Sequence, residues 1–177
     1  MTIHRLNHAV LYVQNLERSV AFYRDVFGFV PLEGTAGLDG AAFLRAPGST
    51  NDHDLGLFEV GGQPVGSSGG RPAIGLYHLA WEVDTLADLR AMEATLAAAG
   101  ALGGASDHSA TKSLYGKDPD GIEFEIVWLV PADRIDDEVL ANRQFIRPLD
   151  LDREIARYGA DTRSGIGVSR AAVSEVD

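Results

Sequence analysis

The chain has 177 residues, 45% of them hydrophobic and 23% charged, which suits a globular protein with one core or two small coupled modules. It has no cysteine, so disulfides, zinc–thiolate sites and a cysteine nucleophile are excluded. The net charge of −11, the lack of an apolar run near the ~20 residues that span a bilayer and the lack of a signal-peptide pattern predict a cytoplasmic protein with no nucleic-acid or membrane partner.

Residues 1–62 predict one βαβββ module. The stretch "RLNHAVLYV" at 5–13 has the pattern of a strand. It is followed by "NLERSVAFYRDVFG", which predicts a helix with its N-cap at Asn15 and its end at Gly28. The segments "FVPLEG" and "AAFLRAP" predict short strands, and 53–60 predicts the last strand of the module.

Residues 63–73 are rich in Gly, Ser and Pro and predict a linker, after which 74–130 repeats the same order of elements. The segment "LYHLAWEV" predicts a strand. An alanine-rich helix follows, with a predicted cap at Asp84 and its end at Gly100. The strand predicted at 122–129 closes the second module.

Residues 131–177 differ in character from the two modules. We predict helices in "ADRIDDEVLANRQF" and "LDREIARYG", followed by a tail without clear periodicity. Both helices carry apolar residues that need cover from the same chain or a second one. We therefore expect this C-terminal helical extension to close a pocket or to make a subunit contact in a homo-oligomer.

The order of elements indicates a duplication. The letters "LNH" at 6–8 and "LYH" at 76–78 each open a strand that leads into a capped helix. His8 and His78 therefore occupy matched positions in the two modules. If the modules pack about a pseudo-two-fold axis, both imidazoles can meet in one cavity.

The strand "IEFEIVWL" alternates, with Glu123 and Glu125 on one face and Ile122, Phe124 and Ile126 on the other. Two neutral imidazoles and one carboxylate form the ligand set that suits non-haem Fe(II) and leaves positions open for substrate and oxygen. The alternative is that each strand histidine is an ordinary core or surface residue and that the glutamates face solvent.

Three segments resemble the vicinal oxygen chelate superfamily, which includes glyoxalase I, fosfomycin-resistance enzymes, bleomycin-binding proteins and type I extradiol dioxygenases. They are "LNHAVLYVQNLERSVAFYRDVFGF", "LYHLAWEV" and "LYGKDPDGIEFEI". The resemblance implies an α+β fold of two tandem βαβββ modules that form a curved mixed sheet, a cup around a metal site. It also implies the metal ligands His8, His78 and Glu125, with Fe(II) as the metal and Mn(II), Ni(II) or Zn(II) as alternatives.

Two further segments are similar to catechol 2,3-dioxygenases within this superfamily. "DHDLGLF" resembles the strand with an active-site histidine, here His53, and "DHSATKSLYGKDPDG" resembles the segment with a histidine and a tyrosine, here His108 and Tyr115. A histidine can exchange protons near neutral pH, and a tyrosine can donate a hydrogen bond to a substrate oxygen. The resemblance thus implies an extradiol dioxygenase that cleaves a catechol-like aromatic diol with O₂.

Other members of the superfamily remain alternatives at this stage. These are a glyoxalase-like or fosfomycin-type lyase, isomerase or thiol transferase, and a metal-free binding protein of the same fold. Glyoxalase I-like members take another metal-binding carboxylate from the first module. The 70-residue offset between the modules matches Glu125 to Leu55, which cannot bind a metal. Glu59 could be that ligand only if the strand register slipped. We therefore predict three protein ligands, and few Lys or Arg residues fall near them for an anionic substrate.

Overall fold

The computed structural model describes residues 3, 5–33, 39–62 and 74–165. The predicted linker at 63–73, the end of the tail from residue 166 and His4 lie outside the described residues. The chain divides into two compact units. The first comprises residues up to 75 together with the short segment 118–122, and the second comprises 76–117 and the residues from 123 onward.

The first unit contains one βαβββ module. Its elements in chain order are β1 (Ala9–Val13), α1 (Leu16–Asp25), β2 (Val30–Pro31), β3 (Ala41–Arg45) and β4 (Leu55–Glu59). The sheet order is β1-β4-β3-β2, with β1 parallel to β4 and the other pairs antiparallel. Helix α1 begins where the Asn15 side chain accepts a hydrogen bond from the Arg18 N–H, and Gly28 beyond its end has a φ of +72°.

One face of this sheet forms the core of the unit. Alternation along β1 buries Leu11 and Val13, and the neighbouring strands bury Leu44, Leu55 and Leu57. Helix α1 packs against this face through β3 and β4. The other face of the sheet is left open.

The second unit repeats the module and adds to it. Its strands and helices are β5 (Leu79–Glu82), α2 (Leu86–Ala98), β6 (Leu102–Asp107), β7 (Thr111–Lys117), β8 (Glu123–Leu129), α3 (Asp137–Asn142), β9 (Arg147–Pro148) and α4 (Leu151–Tyr158), with a short 3-10 helix at Ala132–Arg134. The sheet order is β5-β8-β7-β6-β9, and β5 is parallel to β8. Strand β8 alternates as predicted, with Phe124, Ile126 and Trp128 buried and Glu123 and Glu125 on the other face.

The C-terminal extension is part of the second unit. Strand β9 pairs with the edge of β6, and α4 packs against α2. Val139, Leu151 and Tyr158 are buried, and the Tyr158 ring lies 5.5 Å from the ring of Trp128. These contacts give part of the extension the apolar cover that its sequence requires.

The turn between β7 and β8 is part of the first unit, because its residues bond to α1. The Tyr23 hydroxyl on α1 donates to Asp118 Oδ2 at 3.0 Å, and Arg18 and Ser19 both bond Asp120. Asp118 Oδ1 accepts the N–H groups of Asp120 and Ile122, which shapes the turn.

The α+β class and the two βαβββ modules are confirmed, with local corrections. The cap of α2 is Thr85, which forms a capping box with Asp88, and Asp84 instead pairs with Arg163. His8 and His78 lie just before β1 and β5 rather than inside the strands predicted from "RLNHAVLYV" and "LYHLAWEV". Among the described residues, no helix is long and apolar enough to span a membrane.

Candidate active site

The open face of the first sheet is aromatic, with a pair of histidines at one end. His8 precedes β1. Side chains two residues apart point to the same face of a strand, so His8 lies on the same face as Val10 and Tyr12, which are 51% and 73% exposed. The strand registers place Phe58 and Phe43 on this same face. The rings of Phe43 and Phe58 meet edge to face, with their centroids 5.9 Å apart.

The structure brings two predicted site residues together on this face. The rings of His8 and His53 have centroids 4.6 Å apart, and His53 also meets Phe43 edge to face at 4.9 Å. His8 Nδ1 lies 2.8 Å from Asn7 Oδ1, and His53 Nδ1 lies 3.0 Å from Asp52 Oδ2. Because these bonds engage Nδ1, the Nε2 side of each ring is the one suited to a ligand or a substrate proton.

The open face of the second sheet is polar. His78 precedes β5, and its Nε2 lies 3.1 Å from Glu125 Oε2 on the neighbouring strand β8. The side chains are 26% and 14% exposed, so both are largely sheltered from water. His78 Nδ1 is buried and has no hydrogen-bond partner, which is costly unless a bound group satisfies the ring.

Tyr115 extends this cluster to His108. Its hydroxyl donates to Glu125 Oε1 at 2.9 Å, and His108 Nε2 lies 2.9 Å from the same hydroxyl oxygen. A carboxylate only accepts, and a phenol has one proton to give, so His108 must donate from Nε2. Burial and the hydrogen bond to Glu125 raise the pKa of Tyr115 to about 12, which keeps the phenol a donor at neutral pH.

The His78–Glu125 pair fits two ligand positions of one divalent ion. Two ligand atoms about 2.1 Å from an ion and at right angles to each other lie about 3.0 Å apart. The measured 3.1 Å between His78 Nε2 and Glu125 Oε2 matches that separation. Among the described residues, there is no group of three or more His, Asp or Glu side chains that could hold an ion. The distances in this cluster therefore identify two ligand positions and do not identify a third.

The two modules are not equivalent at the Glu125 position. In the second unit Glu125 pairs with Ala80 across β5 and β8, and in the first unit the corresponding pair is Val10 and Gly56. The counterpart of Glu125 is therefore Gly56 rather than Leu55, because the strand register differs by one residue from the 70-residue offset. A side chain at Gly56 would meet Phe43 and Val10 at 3.3 to 3.4 Å.

Glu59 does not provide a second carboxylate to the open face, as a fourth ligand would require. Its Oε2 accepts the N–H of Leu16 at 2.7 Å, so the carboxylate caps the N-terminus of α1. The first module therefore offers no carboxylate at the position that Glu125 occupies in the second.

The sequence did not single out Phe43 or Phe58. Their alternation along β3 and β4 is readable, but the pattern does not tell which face of the strand stays open. Pairing across β1, β4 and β3 decides this, because it puts both rings on the face that α1 leaves uncovered.

A pocket opens in the second unit, and neither His78 nor Glu125 lines it. Its wall contains Lys112, Arg153 and Arg157 together with parts of α3 and β9. These three cations are already paired with carboxylates of the same unit. We therefore take the histidine faces, and not this pocket, as the candidate active site.

Comparisons with known proteins agree with this fold. The family described as the Glyoxalase/Bleomycin resistance protein/Dioxygenase superfamily matches residues 5–126. A glyoxalase/dioxygenase from Nostoc punctiforme has a similar structure, with 23% identity, a TM-score of 0.59, and coverage of 71% of this chain and 91% of that chain. No curated protein matches the sequence.

Two further solved structures are similar in fold. Lactoylglutathione lyase from Agrobacterium tumefaciens has 22% identity and a TM-score of 0.52, with coverage of 72% of this chain and 95% of that chain. The fosfomycin resistance protein FosX from Listeria monocytogenes, complexed with Mn(II) and sulfate, has 19% identity and a TM-score of 0.51, with coverage of 71% and 93%. The chain belongs to the glyoxalase/bleomycin resistance/dioxygenase superfamily, whose members are mostly metal-dependent enzymes.

Proposed function

We propose that this protein is a metal-dependent extradiol dioxygenase that cleaves the ring of a catechol-like diol. The observation that carries the proposal is the chain of contacts in which His108 and Tyr115 are hydrogen-bonded, Tyr115 donates to Glu125, and Glu125 lies 3.1 Å from His78. These are the residue types, in one connected cluster, that the chemistry needs for holding an ion and for supplying a proton donor beside it.

In this proposal His8, His78 and Glu125 hold a divalent ion. Fe(II) is our first choice for the dioxygenase, and Mn(II), Ni(II) and Zn(II) are alternative ions that the same ligands could hold. When bound, such an ion supplies Lewis acidity toward the two diol oxygens and redox chemistry toward O₂. Three protein ligands leave about three of six octahedral positions for these molecules.

His53 acts as the acid–base group in this proposal. Its ring packs on the His8 ring at 4.6 Å, and Asp52 lies against its Nδ1. The free Nε2 side can then take a proton from the diol hydroxyl and return it to the ring-opened product. Tyr115 stays protonated and donates to Glu125, which limits the carboxylate to a fixed orientation.

The aromatic wall of the first unit favours a flat, apolar substrate body. Tyr12, Phe43 and Phe58 share the face that carries His8 and His53. Aromatic side chains bind aromatic rings through stacked or edge-to-face contacts, in addition to burying apolar area. A catechol ring has this shape and carries its two oxygens on one edge.

A lyase or thiol transferase is the second candidate. The similarity in fold to lactoylglutathione lyase and to the Mn(II) complex of FosX favours it. Gly56 weighs against a glyoxalase-type four-ligand site, since it has no side chain at the position that matches Glu125. The same superfamily fold supports several chemistries, so activity must decide between the two candidates.

The test is a direct comparison of substrates on one preparation. The protein is reconstituted anaerobically with Fe(II) or Mn(II) and mixed with a panel of catechols in an oxygen electrode. We expect O₂ uptake with the stoichiometric appearance of a yellow ring-fission product, because both oxygen atoms enter the opened ring. A parallel panel contains a hemithioacetal and a thiol with an epoxide.

The two panels give opposite outcomes for the two candidates. Turnover of the thiol or hemithioacetal substrates without O₂ uptake on any catechol would reject the dioxygenase in favour of the second candidate. Metal-free protein and protein loaded with Zn(II) serve as controls, because Zn(II) supplies Lewis acidity without redox chemistry.

A further inference from the structure

The loop that carries His108 has an unusual backbone. Ser109 has a φ of +68° and is the one non-glycine residue with positive φ within 3, 5–33, 39–62 and 74–165. Serine has no strong preference for this left-handed region, so such a conformation persists only where surrounding contacts enforce it. The loop is closed by the His108 N–H, which donates to the Thr111 carbonyl at 3.0 Å.

The C-terminal extension adds contacts to this loop beyond the bonds within the module, such as the one from the Ser109 N–H to Asp107 Oδ1. The Ser109 hydroxyl donates to the carbonyl of Val139 on α3 at 2.8 Å. On the other side of His108, Asp107 pairs across the sheet with Arg147 of β9. Asp107 and Ser109 are 5% and 8% exposed, so His108 is flanked by two buried, anchored residues.

Helix α4 adds an ionic network to these contacts. Arg153 bonds Asp107 Oδ2 at 3.0 Å and Glu154 at 2.7 Å, and Lys112 bonds both Asp107 and Glu154. Lys112 and Glu154 are 2% and 0% exposed. Removing one member of a buried network leaves an unpaired charge inside the protein, so the members favour one arrangement.

We propose that the C-terminal extension positions His108, with Ser109, Asp107 and Arg153 as positioning residues. The inference rests on the proposed role of His108 as the donor to Tyr115. The backbone conformation of the loop sets the direction of the His108 side chain, and contacts from the extension hold the loop on both sides of His108. His108 Nε2 therefore stays 2.9 Å from the Tyr115 hydroxyl. Positioning of this kind matters because a misplacement of about 1 Å can cost about 100-fold in rate.

The extension lies beyond the segment that matches the superfamily. The family match ends at residue 126, and the similar structures cover about 71–72% of this chain. Residues Val139, Arg147 and Arg153 all lie beyond that match. This chain therefore supports its His108 loop with contacts that the matched segment does not supply.

The test uses full-length Ser109→Ala, which removes the bond to the Val139 carbonyl, and full-length Arg153→Ala, which removes the bonds to Asp107 and Glu154. Both variants leave the buried Lys112–Glu154 pair in place. The imidazole of His108 is followed by NMR, with its resonances assigned from a His108→Gln variant. We expect the His108 ring resonances to shift or broaden in both variants. In the oxygen assay we expect kcat to fall about ten-fold or more, while KM and metal content stay unchanged.

Arg90→Ala is the matched control, since it breaks the ion pair between α2 and Asp152 of α4 without touching the His108 loop. We expect it to leave the His108 resonances unchanged. Unaltered His108 resonances in folded Ser109→Ala and Arg153→Ala would overturn the inference. Shifted resonances in a protein that cleaves no catechol would support the positioning of His108 and reject the dioxygenase instead.

Discussion

His53 is the residue whose contacts most directly predict a catalytic effect. It lies on the open face between the His8 and Phe43 rings, at 4.6 and 4.9 Å. We expect His53→Phe to keep this packing and lose the proton-transfer group, which lowers turnover by about 10²–10⁴-fold. Metal content should stay at the wild-type level, because His53 is not a proposed ligand.

The measurement combines steady-state kinetics with metal analysis of the same sample. A His53→Gln variant controls for the change in polarity, since glutamine keeps hydrogen bonding but does not titrate. Wild-type turnover in His53→Phe would remove His53 from the mechanism, and loss of metal would indicate that it is a ligand.

The raised pKa of Asp118 predicts that the stability of the protein depends on pH. Burial raises the pKa of Asp118 above its ordinary 3.8, and the nearby charge of Asp120 acts in the same direction, although hydrogen bonds from Ile122 and Tyr23 oppose it. A carboxyl with a raised folded pKa gains stability from protonation. Its contribution is therefore complete below 3.8 and is lost as the pH rises through the folded value.

We expect Asp118→Asn to be more stable than the wild type at neutral pH, because asparagine is uncharged and its Oδ1 can still accept the two N–H groups of the turn. Its Nδ2 can donate to the Tyr23 hydroxyl oxygen in place of the bond that Asp118 Oδ2 accepts. A gain of about 1 kcal/mol would raise Tm by about 2–4 °C in a protein of this size. The difference in Tm should shrink as the pH falls toward 4, roughly the ordinary carboxyl range. Parallel Tm curves for the two proteins across this range would contradict the assignment.

At the level of elements, the βαβββ order was readable from sequence. Asn15 ahead of α1 and the alternation of β8 are local signals that need only a few neighbouring residues. The cap of α2 was predicted one residue early, because Asp84 and Thr85 are both good caps and only the bond from the Asp88 N–H distinguishes them. Strand β9 was missed because two residues carry no periodicity.

The C-terminal extension leads to a prediction about truncation of the chain. A chain that ends after Trp128 loses Val139, Leu151 and Tyr158, which are buried in the full chain. It also leaves Lys112 without Glu154. We expect the newly exposed apolar surface to cause aggregation or a change in oligomeric state.

Size-exclusion chromatography and circular dichroism measure this outcome. A chain that ends at residue 165 retains all of these contacts and is the control. If the chain ending at Trp128 elutes and unfolds like this control, the extension is dispensable for folding.

For the whole molecule, the duplication and its asymmetry lead to a metal-binding prediction. His8 and His78 precede equivalent strands, whereas Glu125 corresponds to Gly56. We therefore expect one divalent ion per chain, with one carboxylate and two imidazoles as protein ligands. We expect His8→Ala, His78→Ala and Glu125→Ala each to abolish stoichiometric binding while the protein stays folded.

Elemental analysis after dialysis, with circular dichroism for folding, measures this. Glu123→Ala is the matched control, since Glu123 shares the face of Glu125 but pairs with Lys117 at 3.2 Å. Full metal occupancy in all three ligand variants would reject the proposed ligand set, and loss of metal in Glu123→Ala would bring Glu123 into it.

The sequence by itself determined the class of fold, the duplication and the short list of candidate site residues. Strand alternation, helix caps and repeated letters are properties of neighbouring residues, so they predict the elements and the matched positions of His8 and His78. The roles of the other candidate site residues came from the resemblance of short motifs to a known superfamily. Only the tertiary structure decided that His53 packs on His8, that Glu125 corresponds to Gly56, and that Ser109 bonds Val139. These contacts join residues far apart in the chain or depend on strand register, and both are set by packing rather than by local pattern.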